Sequence, residues 1–144
     1  LAQAVPDTIV ILEHLGGPLG VGPYQGKQEE IFQEWKKDIA GLAKCKNVYA
    51  KLGGMAMPNN GFGWHLRAAP PNSDEFVNAQ GKYYIHAIEC FGPSRCMFES
   101  NFPVDGLSIS YHVVWNGFKK IVADFSEDEK DMMFRSTATR VYSL

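Results

Sequence analysis

The stretch "RCMFESNFPVD", residues 95–105, opens apolar with Cys96, Met97 and Phe98, then turns polar at Glu99, Ser100 and Asn101, with Pro103 and Asp105 beyond. A short apolar run closed by polar residues and a proline predicts a buried strand that ends in a loop. Two earlier stretches break in the same way. Residues 8–13, "TIVILE", are rich in β-branched residues and run into "HLGGP". That predicts a strand buried on both faces. Residues 47–54, "NVYAKLGG", read as a second short strand ending in glycines.

Helical spacing fills the gaps between them. Over residues 28–43, Ile31, Trp35, Ile39 and Leu42 form one apolar stripe, with Glu29, Glu30, Lys36 and Lys37 off it. Over residues 74–91, Tyr84, Ile88 and Phe91 fall in register, and Ser73 and Asp74 are the expected caps. A third helix is expected over 108–124, carrying Tyr111, Val114, Trp115, Phe118, Ile121, Val122 and Phe125 on one face. Ser126 and Glu129 then form a capping box that opens a short helix, and another helix carries Ala138, Val141 and Tyr142. Strand–helix alternation of this kind predicts a parallel sheet with right-handed crossovers. In such folds ligands sit at the carboxyl ends of the strands. The ends "EHLGGP", "KLGGM" and "ESNFPVD" are therefore expected to converge on one site.

Composition bounds the function from outside. The chain has 144 residues, 45% hydrophobic and 21% charged, with a net charge of −2. That composition is ordinary for a globular domain and offers no electrostatic case for nucleic acid or an anionic membrane surface. No apolar run reaches the 18 or so residues of a membrane span, and "LAQAVPDT" has no signal-peptide pattern. The three cysteines, Cys45, Cys90 and Cys96, lack CxxC spacing and fit free thiols in a reducing compartment, so a cytoplasmic location is expected. Cys90 and Cys96 sit among apolar residues and read as packing groups.

Together the three strand ends resemble the amidohydrolase-related family, metal-dependent hydrolases built on a TIM barrel. "IVILEHLGGP" resembles that family's sixth strand, "VYAKLGG" its seventh, and "RCMFESNFPVD" its eighth, followed by a helix with the pair Trp115–Asn116 and the ending "TATRVYSL". The resemblance covers nearly the whole chain. It implies an α/β fold: residues 1–144 as the C-terminal portion, about three βα units, of one (β/α)8 barrel domain whose N-terminal part is missing. The family's metal-binding HxH has no counterpart in this stretch. Open sheet edges would favour association into homo-oligomers.

The implied activity is hydrolysis of a lactone or related small carbonyl compound. The family also contains decarboxylases, and a non-catalytic ligand-binding homologue is a third reading. His14 stands where the family places a strand-end histidine that ligates metal or contacts a metal-bound water or substrate. Asn101 stands where the family places an aspartate that binds metal and takes a proton from water. An asparagine is neutral and cannot act as a base, which weakens the case for a zinc-like divalent cofactor. Its amide, if flipped, would donate to a substrate carbonyl.

Glu99 replaces the family's usual glycine and, by alternation, shares a face with Met97 and Asn101. Lys51 shares a face with Gly53 on the neighbouring strand. Lys51 and Glu99 read as an inward ion pair, with Glu99 as a displaced acid or base the sharper alternative. Asp105 either caps the following helix or reaches the pocket. In the long loop, Trp64, His65 and Arg67 of "FGWHLR" suit capture of a carboxylate-bearing or ring-shaped substrate, or else pack on the rim. Lys51 is the fourth expected substrate contact. His86 and His112 lie on helices and read as structural.

Overall fold

The computed structural model describes residues 1–144, and its centre is a parallel sheet of three strands in the order β1 (Val10–Leu12), β2 (Val48–Leu52), β3 (Cys96–Phe98). The register pairs Ile11 with Tyr49, Leu12 with Ala50, Ala50 with Cys96 and Lys51 with Met97. Alternation then sorts the side chains. Val48, Ala50, Leu52 and Cys96 are buried in the main core, with Val10, Leu12 and Phe98 packed against it. Ile11, Tyr49, Lys51 and Met97 take the opposite face. β1 was expected to be buried on both faces. All three of its residues are only half-buried, at an open edge of the sheet.

Three helices cover the core face. In α1 (Gln28–Leu42) the buried residues are Phe32, Trp35 and Ile39. The apolar stripe is rotated from the expected one: Phe32 replaces Ile31 as its first member, because Phe32 and Trp35 pack around Tyr83 with ring centroids 4.7 and 5.0 Å away. α2 (Ser73–Phe91) buries Tyr84, Ile88 and Phe91 as the spacing predicts, together with Phe76, Gln80, Tyr83 and Ala87. Its cap is Asn72, not Ser73 or Asp74. The Asn72 side chain accepts from the Asp74 and Glu75 amides, and Glu75 returns a bond to the Asn72 amide.

α3 (Tyr111–Ile121) is shorter than the expected 108–124, since Ser110 caps it and residues 104–107 form a separate turn. Phe118 stacks on Phe98 at 4.6 Å, which ties α3 to β3. Side chains of this size contribute roughly 1.5–3 kcal/mol each by leaving water. α4 (Glu127–Asp131) carries the expected Ser126–Glu129 capping box and runs through a π-helical turn into α5 (Thr137–Tyr142).

Arg95 gave no signal in the sequence beyond its charge. Its guanidinium donates to the carbonyls of Ala43, Cys45, Val48 and Phe91 at 2.9–3.1 Å. It thereby joins the ends of α1 and α2 to the starts of β2 and β3. The site forms at the other end of the sheet. Cys96 is buried, and its thiol is pushed up to about 12 by that burial, so it is inert as a nucleophile. Cys45 and Cys90 are likewise free thiols. His86 sits against the Lys36 carbonyl at 3.1 Å and Cys90 Sγ at 3.4 Å, and His112 is exposed on α3. No helix is long and apolar enough to cross a membrane.

Candidate active site

The face of the sheet opposite the helices carries charge where the strands end. Alternation from Ile11 places Glu13 on that face, alternation from Met97 places Glu99 there, and Lys51 lies between them on β2. Lys51 Nζ is 3.2 Å from Glu13 Oε2 and 3.3 Å from Glu99 Oε2. The remaining Glu99 oxygen, Oε1, is 2.6 Å from His14 Nδ1. An ionised carboxylate only accepts, so Nδ1 carries the proton, and in the neutral imidazole Nε2 is the nitrogen with the lone pair. The predicted Lys51–Glu99 pair is present. Glu13, its second partner, was missed, although the period of two from Ile11 points to it.

At Lys51, burial works against the charge. The hydrogen bond to Glu13 and the charge of Glu99 outweigh burial, and the ammonium is held above its ordinary value.

The backbone is shaped to bring these groups together. His14, Leu15 and Asn101 all have left-handed φ, 52°, 53° and 52°. Non-glycine residues in that region cost about 1–3 kcal/mol each and cluster at functional sites. Leu15 is fully buried, and its carbonyl accepts from Trp35 Nε1 at 2.7 Å, which anchors the turn behind His14. The two glycines of "KLGG" leave room for the neighbouring strand ends. A side chain on Gly53 would collide with the Glu99 backbone and Cγ, and a Cβ on Gly54 would lie 2.5 Å from His14 Nδ1.

Asn101 departs from the expected alternation. The strand ends at Phe98, the chain turns at Asn101, and the amide points not to Glu99 but to Asp105, with Nδ2 donating to Asp105 Oδ1 at 2.9 Å. Asp105 fixes the orientation of the amide, with its carbonyl turned away from the carboxylate. One N–H of Asn101 is taken by Asp105; the second N–H and the carbonyl remain available.

Asp105 takes the second of its two readings in part. It does not cap α3, which Ser110 does. It is 3% exposed, and Oδ2 accepts from the Ala56 amide at 3.3 Å, which clamps the loop after β2 to the turn after β3. Burial pushes its carboxyl up to about 6, against the lowering effect of the Asn101 and Ala56 hydrogen bonds.

The loop residues lie elsewhere. Trp64 is buried between Phe62 and Phe76, with ring centroids 5.3 and 6.3 Å away. Arg67 is held on the surface by Glu75 at 3.0 Å. His65 borders a rim cleft of about 460 Å3, walled by the loops after β1 and β2 through Gly20, Pro58 and Leu66 among others. No cleft lined by His65 or Arg67 includes His14, Lys51 or Glu99.

The amidohydrolase pattern matches residues 1–144. The chain belongs to the amidohydrolase family. This amidohydrolase chain is 37% identical over 142 residues to the uncharacterised protein y4mH of Sinorhizobium fredii, a match covering 99% of the chain and 41% of that protein. It is 27% identical over 139 residues to an L-fucono-1,5-lactonase of Burkholderia multivorans, covering 94% and 43%. It is also similar to an amidohydrolase of Burkholderia multivorans crystallised with bound zinc, at TM-score 0.82 and 24% identity over 99% of this chain and 46% of that one. The chain thus spans less than half the length of these relatives. Its three βα units have the fold of the C-terminal part of the family's TIM barrel.

Ligand atoms of Glu13, His14 and Glu99 lie within 4.8 Å of one another. Yet both Glu99 oxygens, one Glu13 oxygen and both Asp105 oxygens already accept from nitrogen donors. One of those donors is an ammonium lying between two of the carboxylates. A zinc ion needs deprotonated ligands at about 2.0–2.2 Å. With Lys51 in place, these residues do not fit one.

Proposed function

We propose that the protein is a hydrolase that opens a lactone or a related small carbonyl compound, with His14 moving the proton and Glu99 orienting His14. The 2.6 Å contact between His14 Nδ1 and Glu99 Oε1 is the observation that carries this reading. Family membership supports the reaction class, and the likeness to a relative named as a lactonase supports the substrate class.

A carboxylate on Nδ1 selects the tautomer whose Nε2 is basic. Nε2 accepts a proton from the attacking water as its oxygen bonds to the substrate carbonyl carbon, and the carbonyl oxygen becomes an oxyanion. Glu99 stabilises the imidazolium formed, as the carboxylate does in serine hydrolase triads. When the tetrahedral carbon collapses, the ring oxygen leaves and takes the proton back from Nε2. The products are a hydroxyl and a carboxylic acid, so water is fully accounted for. Lys51 holds the second Glu99 oxygen, so the carboxylate keeps its orientation toward His14. Asn101, tethered through its NH2 group, offers its carbonyl to a substrate hydroxyl.

The test is a pH-indicator assay of the whole protein against sugar and non-sugar lactones, with His14→Asn and Glu99→Gln. General acid–base catalysis of this kind is worth about 10²–10⁴-fold, so both variants are expected to lose kcat on that scale. His14→Asn with the parent's kcat/KM on every lactone turned over would overturn the assignment. A parent that binds lactones without opening them would favour the ligand-binding reading, which the neutral Asn101 supports.

A further inference from the structure

We infer that Lys51 is this site's own cation: its ammonium takes the place of a divalent ion and excludes one from Glu13, His14 and Glu99. The inference rests on geometry alone and stands whatever the substrate is. A relative with the same fold was crystallised with bound zinc. This chain has metal-ligand chemistry at its own strand ends, one imidazole and two carboxylates with ligand atoms within 4.8 Å. It also has Lys51 Nζ at 3.2 and 3.3 Å from those carboxylates. The strand end where the family resemblance expects an aspartate carries the neutral Asn101, whose amide nitrogen donates to Asp105.

These changes act in one direction. The lysine adds a positive charge among the ligands, and the asparagine withholds a negative one. A divalent ion drawn to the two carboxylates would lie a few Å from a fixed ammonium whose hydrogen bonds it must replace. The lysine cannot easily withdraw, because Lys51 is held at its Cα in the middle strand, paired with Met97. Its side chain has lost three quarters of its exposure and lies under the Tyr142 ring, 6.0 Å from the centroid. Removing that charge should uncover the site. A neutral side chain of similar length leaves both carboxylates unneutralised and facing each other beside His14, which is the arrangement a divalent ion satisfies.

The experiment uses the whole protein, stripped with a chelator and titrated with zinc by calorimetry, with metal content checked by elemental analysis. Lys51→Met is expected to bind one zinc per chain more than the parent. The new site should be tighter by on the order of 100-fold or more, the scale set by one unit charge a few Å from the ion. Lys51→Arg, which keeps the cation, should match the parent. Lys51→Met combined with Glu99→Gln should lose the gain. Zinc bound elsewhere in the barrel leaves these differences intact. A folded Lys51→Met that binds no more zinc than the parent overturns the inference, as does an equal gain in Lys51→Arg. Should Lys51→Met fail to fold, the parent decides. Zinc that shifts the His14 imidazole resonances in the parent, and no longer does so in Glu99→Gln, overturns it. Unshifted His14 resonances at millimolar zinc support it.

Discussion

Gly54→Ala tests whether the site is as tightly built as its distances imply. Gly54 has φ +71°, and a Cβ there would lie 2.5, 2.6 and 2.7 Å from Nδ1, Cγ and Cβ of His14. His14 cannot retreat along the backbone. Its own φ is 52°, and Leu15 behind it is fully buried with its carbonyl bonded to Trp35. The ring must therefore rotate, and the 2.6 Å bond to Glu99 breaks.

Two costs add. An alanine in the left-handed region costs about 1–2 kcal/mol. A hydrogen bond to a charged group is worth about 1.5–3 kcal/mol. The less flexible unfolded chain returns about 0.4–1 kcal/mol. The net loss expected is about 2–4 kcal/mol. Gly63→Ala separates the two costs, because Gly63 has φ +70° but nothing within 4 Å of a Cβ. It should show only the backbone cost, and the difference between the variants measures the His14 contact. Urea denaturation of both, with nitrogen NMR of the His14 ring, reads the result. Equal losses in the two variants, or an unchanged His14 tautomer in Gly54→Ala, would refute the reasoning.

Two further outcomes follow from the turn after β3. Asp105 is raised from 3.8 to about 6, so the folded state holds its proton more tightly than the unfolded chain. Its contribution to stability is full below pH 3.8 and is lost as pH rises through about 6. At 1.36 kcal/mol per unit the swing is at most about 3 kcal/mol, and Asp105→Asn should abolish it. Denaturation of parent and variant from pH 4 to 7 checks this, and parallel curves would contradict it. Asn101→Asp would place a second carboxylate about 2.9 Å from Asp105. Two such carboxylates cannot both ionise cheaply. The variant should lose about 1–3 kcal/mol at pH 8 and recover near pH 5, as thermal melts at the two values would show.

Most of the fold was legible in the chain because its signals are local. The run of β-branched residues before His14, the helical spacing of Trp35 and Ile39 or of Tyr84, Ile88 and Phe91, and the Ser126–Glu129 box each depend on neighbours a few residues away. So did the inward pairing of Lys51 with Glu99, because alternation holds as long as a strand lasts. What only the tertiary structure decided begins where the strands stop. Asn101 lies beyond Phe98, past a left-handed turn, where alternation no longer directs a side chain, and Asp105 captured it instead.

His14 met Glu99 across 85 positions of sequence, which no local period encodes, while alternation from Ile11 gave the face of Glu13 and strand register brought it within reach of Lys51. Trp64 read as a loop aromatic that either meets a substrate or packs on the rim, and the space between Phe62 and Phe76 decided for packing. Asn72 displaced Ser73 as the cap because two amides fell within its reach. Residue type and spacing determine which groups are available at the strand ends. Which of them touch depends on backbone turns and long-range packing, whose energies are shared among residues far apart in the chain.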